Sequence, residues 1–293
     1  MRHFIVANPV AGNGRVGREM GSIRRALVQR RLDHEMVLTR APGHATELAR
    51  EAARDGWDVV VAAGGDGTMG EVVNGIAGSG VALGLLPLGT GNDLARTFRI
   101  PRSVDGAVDV LAGGTVRRID LGVDADACFA IIAALGFPSD VMHYTNTHHG
   151  LWKGPAKILA AILSLLPSLC GQSMRVTLDD RVVEGRYIGV FVLNTRYTGG
   201  GLMISPEAST EDGLLDVVLI GEMSRSSFLC TLPKAYSGKH LDHPAVDLYR
   251  SSAVRVDTRE PMLKMFDGNV TGVTSPIVAS VRAGALPLVV PSS

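Results

Sequence analysis

The feature that most restricts this chain is a three-part unit repeated through its first 125 residues: a short apolar run, a glycine-rich turn, then a helical pattern. Residues 3–7 (HFIVA), 59–63 (VVVAA) and 82–87 (ALGLLP) read as buried strands, and 36–39 as another. Helices are predicted where Val16, Met20, Ile23 and Leu27 recur at helical spacing, and again over 45–55 and 70–78. This alternation predicts an α/β domain with a doubly wound, mostly parallel sheet, because parallel neighbours need a crossover of about a dozen residues. In such a sheet the strand-to-helix turns all leave at the carboxyl edge, so the glycine turns should meet at one crevice.

From about residue 120 the pattern changes to closely spaced strands, at 127–134, 175–178, 187–193, 214–220, 253–258 and 263–266, with one helical insertion over 155–166. That predicts a C-terminal antiparallel β-sandwich. The expected division is 1–122 as the first domain and 123–284 as the second, with a strand in 285–293 returning to the first. With 293 residues and 46% hydrophobic composition, the chain has ample material for a core and is not a disordered segment. Lys+Arg 29 balances Asp+Glu 29, and aromatics are 5%, so neither a global positive field nor a base-stacking surface points to nucleic acid. Cys128, Cys170 and Cys230 show no CxxC spacing and read as small core residues in a reducing compartment. The longest apolar run, within 157–170, is too short to span a bilayer and is broken by Pro167, so a cytoplasmic location is expected.

The three turns are Asn8-Pro9-Val10-Ala11-Gly12-Asn13-Gly14, Gly64-Gly65-Asp66-Gly67-Thr68 and Leu88-Gly89-Thr90-Gly91-Asn92-Asp93. One such turn is an ordinary tight connection; three at successive strand ends favour a phosphate ligand, which approaches exposed backbone N–H groups and helix N-termini. A carboxylate at Asp66 would repel phosphate unless a divalent cation lies between, so it implies Mg²⁺ or a base acting on an acceptor hydroxyl. No lysine completes a P-loop pattern. Gly12-Asn13-Gly14-Arg15-Val16-Gly17 fits a dinucleotide turn, with Asp33 or Glu35 as the acidic partner, but leaves the other two turns unused.

Taken together, Asn8-Pro9 with Gly12, the GGDGT turn with Glu71 and Asn74-Gly75, and the run Pro87–Arg96 (PLGTGNDLAR) resemble the bacterial diacylglycerol kinase and sphingosine-kinase-type lipid kinase family. Thr39 with Gly43-His44-Ala45, Ile119-Asp120-Leu121-Gly122, Gly199-Gly200-Gly201 and Asp212-Gly213-Leu214-Leu215-Asp216 extend the resemblance over nearly the whole chain. It implies ATP held by Asn8, Pro9, Val10, Ala11, Gly12, Thr39, Gly65, Asp66, Gly67, Thr68, Met69, Gly70, Glu71 and Thr90, with Asn92 and Asp93 in the same set. It implies Asp66 near a Mg²⁺–phosphate centre, and a structural Mg²⁺ held by the Asp212 carboxylate and the carbonyls of Ser209 and Leu214. The activity implied is transfer of the γ-phosphoryl group of ATP to a lipid hydroxyl in the cleft between the domains.

One departure bears on catalysis. The family's second-domain motif ends Asp-Gly-Glu, the glutamate being its proton acceptor, whereas this chain reads Phe266-Asp267-Gly268-Asn269. An amide takes no proton near neutral pH, and loss of a general base costs about 10² to 10⁴ in rate. Asp66 is the next candidate base, and Asp267 would share a face with Asn269 if the stretch is extended. Gly70, where the family has Asn, should loosen the helix start.

Two other readings stay open: a catalytically weakened nucleotide- or lipid-binding regulator, and an NAD-kinase-like enzyme. His143, His148 and His149 read as a polar loop, and the arginines of 15–31 as a solvated basic face or a surface for anionic lipid. Residues 153–169 read as a core-covering helix or an amphipathic lid, so the expected partner is a lipid at a membrane surface. Exposed strand edges would suit a homodimer.

Overall fold

Buried strands separated by helix-length segments have the crossovers that parallel pairing requires, and those of the first third of the chain pair in parallel. The computed structural model describes residues 1–125, 127–148, 155–274 and 276–292. The first elements are β1 (Arg2–Ala7), α1 (Ala11–Gln29), β2 (Asp33–Leu38), α2 (His44–Arg54), β3 (Val59–Gly64), α3 (Asp66–Ile76), β4 (Ala82–Pro87), α4 (Asp93–Thr97), α5 (Val104–Gly113) and β5 (Thr115–Val123). There follow β6 (Cys128–Phe129), β7 (Ile132–Gly136), α6 (Phe137–Thr147), α7 (Pro155–Leu165), β8 (Gln172–Thr177), β9 (Val182–Leu193), β10 (Tyr197–Thr198) and β11 (Leu202–Met203). The chain ends with β12 (Leu215–Gly221), α8 (Arg225–Thr231), β13 (Val246–Ser251), β14 (Ala253–Thr258), β15 (Met262–Phe266), β16 (Asn269–Thr274) and β17 (Ile277–Val290). Two compact units result: Met1–Asp120 with Ala283–Ser293, and Leu121–Arg282.

In the first unit the strands run β2-β1-β3-β4-β17, all parallel. Strand order reverses at β1, so the crevice beside the carboxyl ends of β1 and β3 is the topological switch point. Every residue of β3 and β4 is buried, as their uninterrupted apolar runs require. Helix α3 begins at Asp66, not at residue 70: Gly65 is extended, and Met69 N donates to its carbonyl at 2.9 Å. Gly70 is therefore inside the first turns of α3 and buried, and the expected loosening there is absent. In α1, Val16, Ile23 and Leu27 are buried as the spacing predicts, with Ala26 joining them in place of Met20.

The second unit is antiparallel. Strand β9 pairs with β8 through its first half, and its second half lies between β7 and β12. It thus belongs to both layers of a sandwich, with β14 beyond β8 on one side and β15 and β16 beyond β7 on the other. Side chains two apart fill the core between the layers: Val190 and Val192, Leu215, Val217 and Leu219, Val254 and Val256. The opposite face of β9 and β12 presents Ile188 and Ile220 to α6, α7 and α8, which contribute Phe137, Ile162 and Phe228.

Several expectations need correction. The predicted strand at 127–134 is two strands with Ala130 and Ile131 as bends between them. His143 lies on helix α6, not in a loop, and His148 at its C-terminal end stacks on Tyr144 at 3.9 Å; His149 lies outside the described residues. The 155–166 insertion is α7 with a 3₁₀ turn after it, while Lys153 lies outside the described residues. Cys170 and Cys230 are exposed and are not core residues.

A buried ion pair ties β15 to the chain after β5. Lys264 Nζ stands 3.1 Å from Asp124 Oδ1, and both side chains are almost fully buried. Asp124 Oδ2 accepts from Val278 N at 2.7 Å. Replacing Lys264 by Met leaves a buried carboxylate without its cation, and chemical denaturation should show a loss of about 3 kcal/mol or more. An unchanged midpoint would contradict this.

Candidate active site

The three glycine turns of the first unit are locked to one another by backbone contact. Gly12, Asn13 and Gly14 are successively left-handed (φ 60°, 57° and 78°), and this reversal lays Gly12 against the third turn, where a Cβ would overlap the Leu88 carbonyl. A Cβ on Gly89 would overlap Gly65 Cα, so the second and third turns touch main chain to main chain. Asn8 Nδ2 donates to Thr68 Oγ1 at 3.1 Å across the switch point, and Thr39 N donates to Ala7 O at 2.9 Å, bringing the end of β2 to the same edge. The residues expected at a nucleotide crevice, Asn8 to Gly12, Thr39, Gly65 to Thr68 and Thr90, therefore lie at neighbouring strand ends.

Asp66 has a different use from the one its motif suggests. Its Oδ2 accepts from Asn92 N at 2.7 Å and its Oδ1 from Asp93 N at 2.8 Å. A carboxylate gripping two backbone amides is a clamp that fixes the third turn, and its charge also suits the N-terminus of α3. Asn92 is left-handed (φ 57°), and its side chain closes the turn on itself, accepting from Gly89 N at 3.0 Å and donating to Gly89 O at 2.8 Å. Asp93 is 2% exposed and bonded to Arg96 at 3.4 Å. The Asn92 side chain thus closes the turn, and the Asp93 carboxylate is buried beside Arg96 at the start of α4. Met69 and Gly70 are buried in α3, and the Glu71 carboxylate accepts from Ala45 N at 3.1 Å at the start of α2. Met69 and Gly70 thus belong to the packing of α3, and Glu71 ties α3 to the start of α2.

Sequence reasoning missed Arg102. Its guanidinium donates to the carbonyls of Gly89 at 3.2 Å and Thr90 at 3.4 Å, and its own carbonyl accepts from Arg15 at 3.0 Å. Arg18 donates to Asn13 O at 3.0 Å. Three cationic side chains thus border the first and third turns. Nothing local in the sequence marks Arg102, which joins the site only through the fold.

In the second unit Asp267 and Gly268 form the β15–β16 hairpin turn, both at positive φ (48° and 86°), and Phe266 pairs with Asn269. The stretch is not extended, so Asp267 does not share a face with Asn269. Instead its buried carboxylate accepts from Ala130 N at 2.8 Å, Ile131 N at 2.8 Å and Ile132 N at 2.9 Å. Asp267 is an anchor for the bend between β6 and β7, which removes it as a substitute base. Asn269 is partly exposed at the start of β16, and Asn146 of α6 reaches the neighbouring Gly268 carbonyl at 3.2 Å.

For the expected structural Mg²⁺, the fit is chemical. Asp212 is exposed, its Oδ1 accepts from Leu214 N at 3.1 Å, and the loop offers the Ser209 and Leu214 carbonyls, an all-oxygen set suited to a hydrated hard cation. Asp216 nearby is raised above the usual carboxylate range, chiefly by burial, and Asp212 adds to that, so a cation here would relieve like charge. Among the described residues, no cluster of three or more His, Cys, Asp or Glu side chains could hold a metal.

The helix-covered face of the second unit carries an apolar pocket, partly open to solvent, between Phe137, Ile162, Ile188, Phe228, Met265 and their neighbours.

Comparisons with known proteins agree with this layout. Residues 2–123 match the diacylglycerol kinase catalytic domain, and residues 131–290 match the YegS C-terminal NAD kinase beta sandwich-like domain. The chain is 28% identical over 275 residues to a diacylglycerol kinase of Bacillus subtilis (strain 168), covering 93% of this chain and 91% of the relative. It is 29% identical over 273 residues to a diacylglycerol kinase of Staphylococcus aureus (strain MRSA252), covering 92% and 87%. A crystal structure of a diacylglycerol kinase from Bacillus anthracis str. Sterne superposes with a TM-score of 0.75 at 22% identity, covering 99% and 96%, and a second from that organism with 0.81 at 24%, covering 99% and 95%.

Two measurements follow. Asp66→Ala leaves two amides of the third turn unpaired and should cost about 2 to 4 kcal/mol in denaturant unfolding; a variant as stable as the parent would refute the clamp. Burial pushes the Asp267 carboxyl up to about 6 against the pull of its three amides. The folded state then holds this proton more tightly than the unfolded one, so the Asp267 contribution to stability falls as pH rises from about 4 to about 6. Carboxyl NMR should place its midpoint near about 6; a midpoint near about 4 would contradict this.

Proposed function

Since the chain belongs to the diacylglycerol kinase family, we propose that it transfers the γ-phosphoryl group of ATP to the hydroxyl of a diacylglycerol-type lipid. The observation that carries this reading is the interlocked set of three glycine turns at the switch point of a parallel sheet. Such an edge offers phosphates close backbone approach, and Arg15, Arg18 and Arg102 add positive charge beside it. Asp66 acts here as a positioning residue, since it fixes the third turn relative to the second. Phosphoryl transfer depends mainly on positioning and charge neutralisation, which a crevice of this kind can supply. Mg²⁺ carried with ATP supplies further neutralisation of the phosphate oxygens, and Asp212 with the Ser209 and Leu214 carbonyls holds a structural ion in the second unit.

The first unit is the nucleotide unit and the second holds the lipid, whose acyl chains fit the apolar pocket. On the outer side of α7, Leu159 and Leu163 are 48% and 51% exposed one helical turn apart, and these serve as the contact with a membrane surface. Among the described residues no helix is long and apolar enough to cross a membrane.

Asn269 supports a second reading. Its amide can orient a hydroxyl but cannot take up the proton, so the chain is either a slow kinase or a regulator that binds nucleotide and lipid without turnover. Labelled ATP, Mg²⁺ and diacylglycerol in mixed micelles separate the two. Slow transfer by the parent, raised about 10²-fold or more by Asn269→Glu, is expected of the kinase. Transfer by neither protein would overturn it.

A further inference from the structure

His240 is 3% exposed, lines the apolar pocket of the second unit, and has no hydrogen-bond partner at either ring nitrogen. Three residues on, His243 shows what a settled histidine looks like: Nε2 lies 2.8 Å from Ser227 Oγ, and Nδ1 accepts from Ala245 N at 3.1 Å. His3 in the first unit is also buried without partners, yet it borders neither this pocket nor the crevice. A buried imidazole that makes no well-aligned hydrogen bond costs free energy unless something entering the cavity satisfies it. Burial keeps the ring below its usual pKa, against the opposing effect of the Ile204 carbonyl nearby, so at neutral pH it is uncharged and offers one N–H donor and one nitrogen acceptor.

We propose that His240 is a specificity-determining residue of this pocket, its ring N–H donating to the ester carbonyl of an acyl lipid. The lining explains the choice of ligand. Among the described residues around the pocket none is charged; Thr198 and Thr231 are the other polar side chains. A long-chain base would bring an ammonium group here with no carboxylate to meet it, at a high desolvation cost. An uncharged ester brings an acceptor for the single strong donor and apolar chains for the remaining wall. An ether-linked lipid of the same length fills the same space but offers a much poorer acceptor. The choice of an acyl lipid as occupant rests on the lipid-kinase reading above; the hydrogen bond itself does not require turnover.

Calorimetric titration of the full chain, without nucleotide, with dioctanoylglycerol and with its dioctyl ether analogue tests this directly. The parent should bind the diester about tenfold more tightly than the diether. His240→Leu should bring the two affinities together, and His240→Gln should keep several-fold preference through its amide N–H. As a check that needs no variant, the His240 ring ¹⁵N signals of the parent should shift with the diester and not with the diether. Equal binding of both lipids by the parent, binding of neither, a preference that survives His240→Leu, or an unmoved ring signal with diester bound would each overturn the proposal. Diester preference in a protein that transfers no phosphate in the micelle assay would instead overturn the kinase reading and leave this one standing.

Discussion

The Asp66 carboxylate is the contact that joins two of the three glycine turns at the edge of the parallel sheet. By accepting the amides of Asn92 and Asp93 it joins the turn after β3 to the turn after β4, and the Gly65–Gly89 approach allows that joint to close without side chains intervening. Asn92 then seals the third turn from within. The first turn rests on the third at Leu88 and on the second through Asn8 and Thr68. Remove the clamp and the amides of Asn92 and Asp93 lose their acceptor, leaving the Gly64 carbonyl and the Gly65–Gly89 contact to hold the third turn to the second; keep it and the three backbones form one surface, positioned before any ligand arrives.

The second unit uses the same device. In two of its Asp-Gly sequences, Asp66-Gly67 at the start of α3 and Asp267-Gly268 in the β15–β16 turn, the aspartate gives both oxygens to backbone amides of a neighbouring segment. A short acidic side chain is well suited to that task, because the carboxylate accepts several N–H groups at once; at Asp267 the following Gly268, at φ 86°, also allows the sharp turn. Beside these anchors lie the groups to which the proposed reaction would fall: the turns and bordering arginines in the first unit, Asn269 and the apolar pocket in the second.

Much of this was legible in the sequence. Uninterrupted apolar runs followed by glycine turns identified the parallel strands and their common edge, and the closely spaced strand-like runs after residue 120 identified the sandwich. Residue types alone could not say whether an aspartate faces a ligand or the protein's own backbone, and so Asp66, Asn92 and Asp267 read as site residues although their side chains bind main chain, and Asp93 although its carboxylate is buried beside Arg96. Helix α6 escaped because Pro138 at its start and the polar, β-branched run after it carry little helical propensity; only Phe137 and Val141, four residues apart and both buried, hint at it. Arg102 and His240 escaped because their significance lies in burial and in contacts with distant residues, which no local pattern encodes.

The central claim is that the three turns form a single preorganised nucleotide surface. Backbone amide NMR during titration with Mg²⁺ and a non-hydrolysable ATP analogue tests it most directly. The account predicts saturable shifts concentrated at residues 8–14, 65–68 and 89–91, following one binding curve, and their loss in Asp66→Ala. Shifts confined to one turn, or an unchanged response in that variant, would contradict it.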